Sequence, residues 1–280
     1  MLSLSVHFLP SLTSAEELAG GTIVVIDILR ATTTIIYALA AGAKEVIPCL
    51  EIDEARAVAS KLPRNSVVLG GERAGLKIDG FDLGNSPRDY TPEIVAGKTV
   101  VFTTTNGTRA MMLCKQAKRV LIGGFVNIHA ILHAAARDEK VHLLCAGTNG
   151  QITREDVLFA GWYVAACRAA AFHFGWPELN DEGAIARKTA AWSNAGPLYW
   201  DHVQRAMSGN VPGTTADTLA HLAARDCENL FSRLAQSKGG RNLLELDLAQ
   251  DIVDAAQLNH FSLVPELDLA TWRITTNNPG

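Results

Sequence analysis

The chain has 280 residues, of which 48% are hydrophobic, and its formal net charge is −4. This apolar content is sufficient for a substantial core and excludes an intrinsically disordered chain. The negative charge argues against a general nucleic-acid-binding protein, because such binding depends on many lysines and arginines that neutralise phosphates. An anionic ligand must therefore meet cations that are gathered locally.

Five cysteines are widely spaced, and they form neither a CxxC motif nor a Cys/His zinc spacing. We therefore expect a reduced, cytoplasmic protein. The N-terminus lacks the basic region and the cleavage site of a signal peptide. The longest apolar run, at 157–167, is shorter than the ~20 residues that a transmembrane helix needs, so no membrane association is expected.

The chain begins with a short predicted strand at 4–8, and Ser14 followed by Ala-Glu-Glu predicts a helix start. The segment 23–42, IVVIDILRATTTIIYALAAG, then reads as a strand, a loop and a helix. Such a loop lies where unpaired N–H groups of a helix attract anions. It contains a carboxylate, a guanidinium and three hydroxyls, which belong to Asp27, Arg30, Thr32, Thr33 and Thr34. The loop thus combines a candidate metal ligand, a phosphate-binding group and a hydrogen-bonding cradle.

A predicted strand at 44–48, a helix at 51–62 and a strand at 66–69 follow. Residues 70–90 lack periodicity and are rich in glycine, charge and turn residues, and a loop of this length within a compact domain is typically functional. Glu72 is the favoured functional acid of this loop because it is flanked by Gly71 and Arg73. Asn85 and Ser86 read either as plain turn residues or as contacts to substrate oxygens.

Two later segments, at 99–118 and 141–174, repeat the strand–loop–helix pattern, and both loops contain Thr-Asn-Gly. Alternating strands and helices predict parallel strands with right-handed crossovers. We therefore expect an α/β fold with a largely parallel or mixed sheet in which all three loops emerge at the same edge. The chain is expected to form a single α/β unit over 1–280, or two subdomains at about 1–125 and 126–280 that share the active-site cleft.

The second loop, at 103–108, can present hydroxyls and, through Gly107, main-chain N–H groups to an anion. The alternative is that Thr108 caps the helix. In the third loop, Thr153 and Asp156 fit a capping box, although Asp156 is also placed for a second metal ligand or a general base.

Cys145 ends its strand as Asp27 ends the first, which suggests a thiolate nucleophile. A cysteine phosphatase loop needs an arginine six residues later, where this chain has Gln151. A buried or pocket-lining role for Cys145 is therefore favoured.

Towards the C-terminus, helices are predicted at 215–236 and 247–258, Gly239-Gly240 predicts a break, and the last residues, TTNNPG, predict a frayed end.

Four motifs resemble the 2-phosphosulfolactate phosphatase family. They are IDILRATTT at 26–34, GERAGLKIDGFDLGNSP at 71–87, TTTNGTRA at 103–110, and CAGTNG at 145–150 followed by Glu155-Asp156. The resemblance covers 23–160, and the C-terminal part is less diagnostic. The resemblance implies an Mg²⁺-dependent phosphatase that hydrolyses (2R)-phosphosulfolactate to sulfolactate and phosphate, a step towards coenzyme M. It also implies an α/β fold that is specific to this family.

On this resemblance we interpret the three loops as one active site. Asp27, Glu72 and Asp156 would hold Mg²⁺, and Arg73 would grip the sulfonate or the carboxylate. The attacking group would be either a metal-bound water or Asp27 itself, through a phospho-enzyme. The predicted catalytic residues are Asp27, Arg30, Glu72, Arg73, Thr105 and Asn106. The predicted substrate-binding residues are Thr32, Thr33, Asn85, Ser86, Thr104, Gly107, Thr108, Cys145 and Gly147.

Two alternatives stay open: a phosphatase of another small phosphorylated hydroxy acid, and a non-catalytic protein that binds small anions. A dinucleotide-binding oxidoreductase is disfavoured, because no GxGxxG motif follows a predicted strand. The expected partner is a small phosphorylated sulfonate or hydroxy acid. The sequence leaves the oligomeric state open, including a homo-oligomer.

Overall fold

The computed structural model describes residues 3–170, 178–179, 182 and 230–276. Within these ranges the chain forms an 11-stranded mixed sheet with helices packed against it, which confirms the α/β class. The strands are β1 (Ser3–His7), β2 (Thr22–Ile26), β3 (Glu45–Pro48), β4 (Val67–Arg73), β5 (Leu76–Lys77), β6 (Thr99–Thr103), β7 (Arg119–Gly123), β8 (Lys140–Cys145), β9 (Glu178–Leu179), β10 (Pro265–Asp268) and β11 (Arg273–Thr276).

The helices alternate with the strands along most of the chain. They are α1 (Ala15–Leu18), α2 (Ala31–Ala40), α3 (Ile52–Ala59), α4 (Pro92–Val95), α5 (Gly107–Met112), α6 (Ile128–Ala135), α7 (Arg154–Ala170), α8 (Lys238–Glu245) and α9 (Ala249–Ala255). In the described part of the chain, no helix is both long enough and apolar enough to cross a bilayer.

Strand β2 is buried on both faces, as its unbroken apolar run predicts. Val24 and Ile26 point into one core, together with residues of α6, α7 and α9. Ile23 and Val25 point into the other, together with residues of α2 and α5. The carboxyl end of β2 therefore lies in the middle of the molecule, covered by helices on both sides.

The sheet consists of two parallel blocks joined by an antiparallel hairpin. Its strand order is β5-β4-β6-β3-β11-β10-β7-β2-β8-β1-β9. β4, β6 and β3 are parallel to one another, and so are β7, β2, β8 and β1. The hairpin of β10 and β11 lies between the blocks and is antiparallel to its neighbour on each side. The two strands of this hairpin are far in sequence from β3 and β7, so the sequence pattern did not predict that they lie between the two blocks.

The pairings of β3 with β11, of β11 with β10 and of β10 with β7 are all antiparallel, so the strands of one block run opposite to those of the other. The prediction that all three loops emerge at one edge is therefore right for β2 and β8, which are paired in parallel, and wrong for β6. Because a sheet twists across its width, the loop after β6 nevertheless reaches the loop after β2. The main-chain N–H of Gly107 lies close enough to the carboxylate of Asp27 to favour its charged form.

The N-terminal predictions are confirmed. Ser14 accepts a hydrogen bond from the main-chain N–H of Glu17, whose side chain returns to the N–H of Ser14, so α1 begins with a full capping box. The predicted loop at 70–90 is partly wrong, because β4 extends to Arg73 and forms a tight hairpin with β5.

The predicted break at Gly239-Gly240 is wrong. Both glycines lie in the first turn of α8, where Ser237 accepts a hydrogen bond from the N–H of Gly240 at 3.0 Å. Their small size serves close packing, since a Cβ at Gly239 would lie 2.2 Å from Oε1 of Glu155. Residues 230–235 are helical, and the rest of the helix predicted at 215–236 lies outside the described residues.

Candidate active site

A cavity of about 310 Å³ opens where the loops after four strands meet α8. The carboxyl end of β4 contributes Glu72, and the loops contribute Asp27, Leu29, Arg30, Ala74, Gly75, Asn85, Thr104, Thr105, Asn106, Thr148 and Asn149. The C-terminal segment contributes Gly239, Asn242, Leu243, Glu245 and Leu246. Five of the six predicted catalytic residues thus lie around one space, and Arg73 does not.

Asp27 lies at the end of β2 and is 7% exposed. Its Oδ1 accepts a hydrogen bond from the first main-chain N–H of α2, that of Ala31, at 3.2 Å. Burial raises the pKa of Asp27 to about 7, and the nearby negative charges of Glu72 and Glu155 act in the same direction. The carboxylate is thus held in place among other acids, in surroundings that disfavour its charged form.

Glu72 comes from the carboxyl end of β4 and faces the same cavity. Its Oε1 accepts a hydrogen bond from the main-chain N–H of Thr105 at 2.9 Å. Its Oε2 accepts one from the N–H of Gly75, at the tip of the hairpin, at 2.7 Å. These two bonds join the long loop to the loop after β6 and fix the carboxylate at the cavity wall.

Arg30 is buried at the N-terminus of α2, and the peptide bond that precedes it is cis. Its Nη1 lies 2.5 Å from Oδ2 of Asp251, which belongs to α9. Its Nη2 donates to the carbonyl oxygen of Gly75 at 3.1 Å. A guanidinium has five N–H donors, so these two bonds orient Arg30 without exhausting its capacity to bind an anion.

The three threonines that were predicted in the first loop lie in the first turn of α2. They are buried and donate their hydroxyl hydrogens to main-chain oxygens. The hydroxyls of Thr32, Thr33 and Thr34 donate to the carbonyl oxygens of Asp27, Ile28 and Asn85, respectively, each at 2.9 Å. None of the three is among the residues that line the cavity. Thr32 and Thr33, which were predicted to bind substrate, therefore lie outside the cavity wall, with their hydroxyls bonded to the main chain of the loop.

Arg73 also differs from its predicted placement. Its guanidinium donates to the carbonyl oxygens of Glu72 and Leu50 and to the hydroxyl of Thr103, at 2.8–3.0 Å. Arg73 is not among the lining residues. These bonds stabilise the junction of β4 and β6, and they direct the guanidinium to neutral oxygens of the protein.

The loop after β6 supplies the cavity with neutral polar groups. The hydroxyl oxygen of Thr105 is buried and has no hydrogen-bond partner. Oδ1 of Asn106 accepts a bond from the N–H of Asn149 at 3.0 Å, which ties this loop to the loop after β8. The main-chain N–H of Thr108 donates to the hydroxyl of Thr104, and the N–H of Thr104 donates to the hydroxyl of Thr108. Thr108 lies within the first turn of α5 and is not its N-cap residue, so the reading of Thr108 as the helix cap is wrong.

Asp156 lies at the start of α7 and is not among the lining residues. Its Oδ1 accepts from the N–H of Ile28, and its Oδ2 accepts from the N–H of Gly147 and the hydroxyl of Thr153, at 2.9–3.1 Å. Burial raises the pKa of Asp156 well above its ordinary value, followed by the charges of Asp27 and Glu155. Asp156 thus joins the first loop to the third.

Cys145 is fully buried and is not among the residues that line the cavity. Burial raises the pKa of its thiol well above the ordinary value. A buried, protonated thiol is a poor nucleophile, so the structure agrees with the reading against a cysteine phosphatase. Gly147, also predicted to bind substrate, lies behind the wall and donates to Asp156.

Sequence reasoning missed the contribution of the C-terminal segment. Gly239 and Asn242 of α8 line the cavity, and Asp251 of α9 pairs with Arg30. The glycines were misread as a break, and the residues around Asp251 do not indicate which side chain it contacts.

The chain was compared with known proteins. A family model described as 2-phosphosulpholactate phosphatase matches residues 7–199. Relatives from Caldicellulosiruptor saccharolyticus and Caldanaerobacter subterraneus are 48% and 46% identical over 147 residues, which is 50% and 52% of this chain and 60% and 61% of the relatives. The matches thus span about three fifths of the length of these two relatives. A relative from Symbiobacterium thermophilum is 38% identical over 256 residues, which is 90% of this chain and 93% of the relative. All three relatives are named probable 2-phosphosulfolactate phosphatase.

Proposed function

The chain belongs to the 2-phosphosulfolactate phosphatase family, and we propose that it hydrolyses (2R)-phosphosulfolactate to (2R)-3-sulfolactate and phosphate, a reaction of the coenzyme M biosynthesis type. The observation that supports this most is the cavity that Asp27, Glu72 and Arg30 share. It offers two carboxylates for a cation and a guanidinium for the phosphoryl oxygens in one place.

Asp27 and Glu72, two of the three carboxylates that line the cavity, fit Mg²⁺. Among the described residues there is no group of three or more His, Cys, Asp or Glu side chains arranged to hold a metal. Mg²⁺ does not need such a group, because it is commonly bound by one or two carboxylates together with waters and substrate phosphate. Asp27 and Glu72 would hold the ion, which would polarise the phosphoryl group. Burial, followed by the charges of Glu72 and Glu155, raises the pKa of Asp27, and a bound divalent cation would favour its charged form.

Around that position the chain's own groups would bind and orient the substrate. The guanidinium of Arg30 would stabilise charge on the phosphoryl oxygens, because it is buried, oriented and lines the cavity. The unpartnered hydroxyl of Thr105 and the side-chain amide of Asn85, whose Oδ1 is also unpartnered, would make hydrogen bonds to substrate or to ordered water. The apolar side chains of Leu243 and Leu246 would limit the access of bulk water.

The assay is phosphate release from (2R)-phosphosulfolactate by the full-length chain, followed with malachite green. We expect release with Mg²⁺, its loss with EDTA and its return with excess Mg²⁺. Asp27→Asn should lower kcat by at least about 100-fold, and Asp53→Asn, at an exposed carboxylate on α3, should leave it unchanged. Wild-type turnover by Asp27→Asn at saturating Mg²⁺ would contradict the assignment.

Thermal unfolding tests the metal site without turnover. A ligand that binds only the folded state raises Tm, so Mg²⁺ should raise the Tm of the wild-type protein. Asp27→Asn and Glu72→Gln should each remove most of that rise. An undiminished rise in both variants would place the ion elsewhere.

One observation favours a second candidate, a less highly charged phosphorylated hydroxy acid. Among the described residues that line the cavity, Arg30 is the single lysine or arginine, and it is already paired with Asp251. Glu245 adds a third carboxylate to the wall. Binding a substrate with phosphate, carboxylate and sulfonate groups would be electrostatically unfavourable in a cavity lined by three carboxylates and one guanidinium. A panel of phosphomonoesters that differ in their acid groups, compared by kcat/KM, decides between the two. Binding of phosphosulfolactate without phosphate release would instead indicate an anion-binding protein.

A further inference from the structure

Asp251 lies behind the cavity wall and joins two parts of the site. It is 1% exposed and belongs to α9, near the C-terminal end of the described chain. Its Oδ2 is the partner of Arg30 at 2.5 Å. Its Oδ1 accepts a hydrogen bond from the hydroxyl of Ser86 at 2.6 Å. One buried carboxylate thus holds the loop after β2 and the end of the long loop at the same time.

Both partners of Asp251 lead directly to the cavity. Arg30 lines it, and so does Asn85, the residue next to Ser86. Asn85 is 6% exposed, and its Oδ1 has no hydrogen-bond partner. The carbonyl oxygen of Asn85 accepts a bond from Thr34 at 2.9 Å. The backbone at Asn85 and Ser86 is thus fixed from two sides, while the amide of Asn85 stays available at the wall.

We propose that Asp251 is a positioning residue of this active site, which orients the guanidinium of Arg30 and, through Ser86, the amide of Asn85 towards the substrate. The inference rests on the proposed function for the identity of the reaction, and on the two bonds of Asp251 for the geometry. Asp251 lies outside residues 7–199, which match the family model. The C-terminal segment therefore completes a site whose other parts come from the loops of the sheet.

The physical reason is preorganisation. An arginine side chain has several rotatable bonds, and fixing it in advance spares the substrate that ordering cost. A displacement of about 1 Å in a charge-stabilising group can cost about 100-fold in rate. Asp251 also compensates the charge of a guanidinium that is only 5% exposed. Its loss should therefore act on catalysis through Arg30.

A double-mutant cycle in kcat/KM tests this route. We expect Asp251→Ala to lower kcat/KM by about 100-fold in the wild-type background. In the Arg30→Ala background the same substitution should lower kcat/KM by less than about threefold, because the group that it positions is gone. Equal losses in both backgrounds would overturn the proposal, since a merely structural role gives additive effects.

A milder variant keeps the test sharp if Asp251→Ala does not fold. Asp251→Asn preserves the size of the side chain and an acceptor for Ser86, but it removes the charge opposite Arg30. We expect a loss of about tenfold in kcat/KM with a folded protein. Wild-type kcat/KM in Asp251→Asn would overturn the proposal. The matched control is Asp254→Asn on the same helix, whose carboxylate faces Arg88 at 3.9 Å and does not line the cavity; it should keep the wild-type kcat/KM.

Binding of inorganic phosphate, measured by calorimetry with Mg²⁺ present, separates this inference from the proposed reaction. If the wild-type protein releases no phosphate from phosphosulfolactate, the proposed function fails, but the cycle can still be measured in Kd. Asp251→Asn should then weaken phosphate binding in the wild-type background and have little effect in Arg30→Ala. Unchanged phosphate affinity in Asp251→Asn would overturn the positioning role independently of the reaction.

Discussion

Gly107 lies so close to Asp27 that no side chain fits between them. A Cβ at position 107 would lie 2.9 Å from Oδ2 of Asp27 and 2.7 Å from the Cβ of Ala31. Glycine is required here by close approach of two loops, one from each parallel block of the sheet. The contact fixes how the carboxylate at the end of β2 faces the loop after β6.

Gly107→Ala should therefore disturb the site directly. We expect it to lower kcat/KM by about 100-fold, because Asp27 must shift, and to lower the free energy of unfolding by about 1–3 kcal/mol through overpacking. Gly84→Ala is the control, since its nearest neighbour is at an ordinary 3.6 Å. Steady-state kinetics and urea unfolding measure both effects, and wild-type kinetics in Gly107→Ala would show that the contact is unimportant.

The contribution of Asp27 to the stability of the metal-free protein should fall with rising pH. The pKa of Asp27 is raised from 3.8 to about 7 by burial and by Glu72 and Glu155, so the folded state binds more protons than the unfolded state between these values. The cost of charging Asp27 is absent below about pH 4 and complete above pH 7, with an upper limit of about 1.4 kcal/mol for each pH unit in between.

Urea unfolding in EDTA at pH 5 and pH 8 measures this dependence. The wild-type protein should lose more stability between the two values than Asp27→Asn, which carries no titrating group at this position. Mg²⁺ should reduce the difference, because a cation stabilises the charged carboxylate. An identical pH dependence in both proteins would mean that Asp27 titrates normally.

Asp156→Ala should cost stability, because it leaves the N–H groups of Ile28 and Gly147 buried without their acceptor. We expect a loss of about 2–4 kcal/mol in the free energy of unfolding. Asp53→Ala, at an exposed carboxylate, should change it by less than about 0.5 kcal/mol. The rise in Tm with Mg²⁺ should persist in Asp156→Ala. Loss of that rise would indicate that Asp156 is a metal ligand.

Thr33→Val separates a structural threonine from a substrate-binding one. The hydroxyl of Thr33 is buried and bonds the carbonyl oxygen of Ile28. We expect the variant to lose about 1–2 kcal/mol in the free energy of unfolding and to keep KM within about twofold. A KM raised tenfold with unchanged stability would show that the hydroxyl reaches the substrate.

The sequence predicted the parts of the site that depend on local pattern. The strand that ends at Asp27 follows from its apolar run, and Glu72 was singled out by its glycine and arginine neighbours. The start of the next helix was predicted too late, because Thr32, Thr33 and Thr34 were placed in the loop although α2 begins at Ala31. The same reasoning assigned Thr32 and Arg73 to the substrate, because a pattern shows that a polar group is near a loop and does not show in which direction it points.

Long-range pairing could not be predicted from the pattern. The bond between Arg30 and Asp251 joins residues 221 positions apart, and no local signal marks either as the partner of the other. The reversal of the sheet between its two blocks was missed for a related reason: β10 and β11 are short strands far from the repeated units, and they insert between β3 and β7.

The hairpin of β10 and β11 is bound to both blocks by ion pairs, Arg119 with Glu266 on one side and Glu45 with Arg273 on the other. These strands are among the last described residues to leave the ribosome. The two halves of the cavity can therefore acquire their mutual orientation only after these strands have been made, and a nascent chain arrested before residue 265 should be inactive even if its earlier strands have already paired.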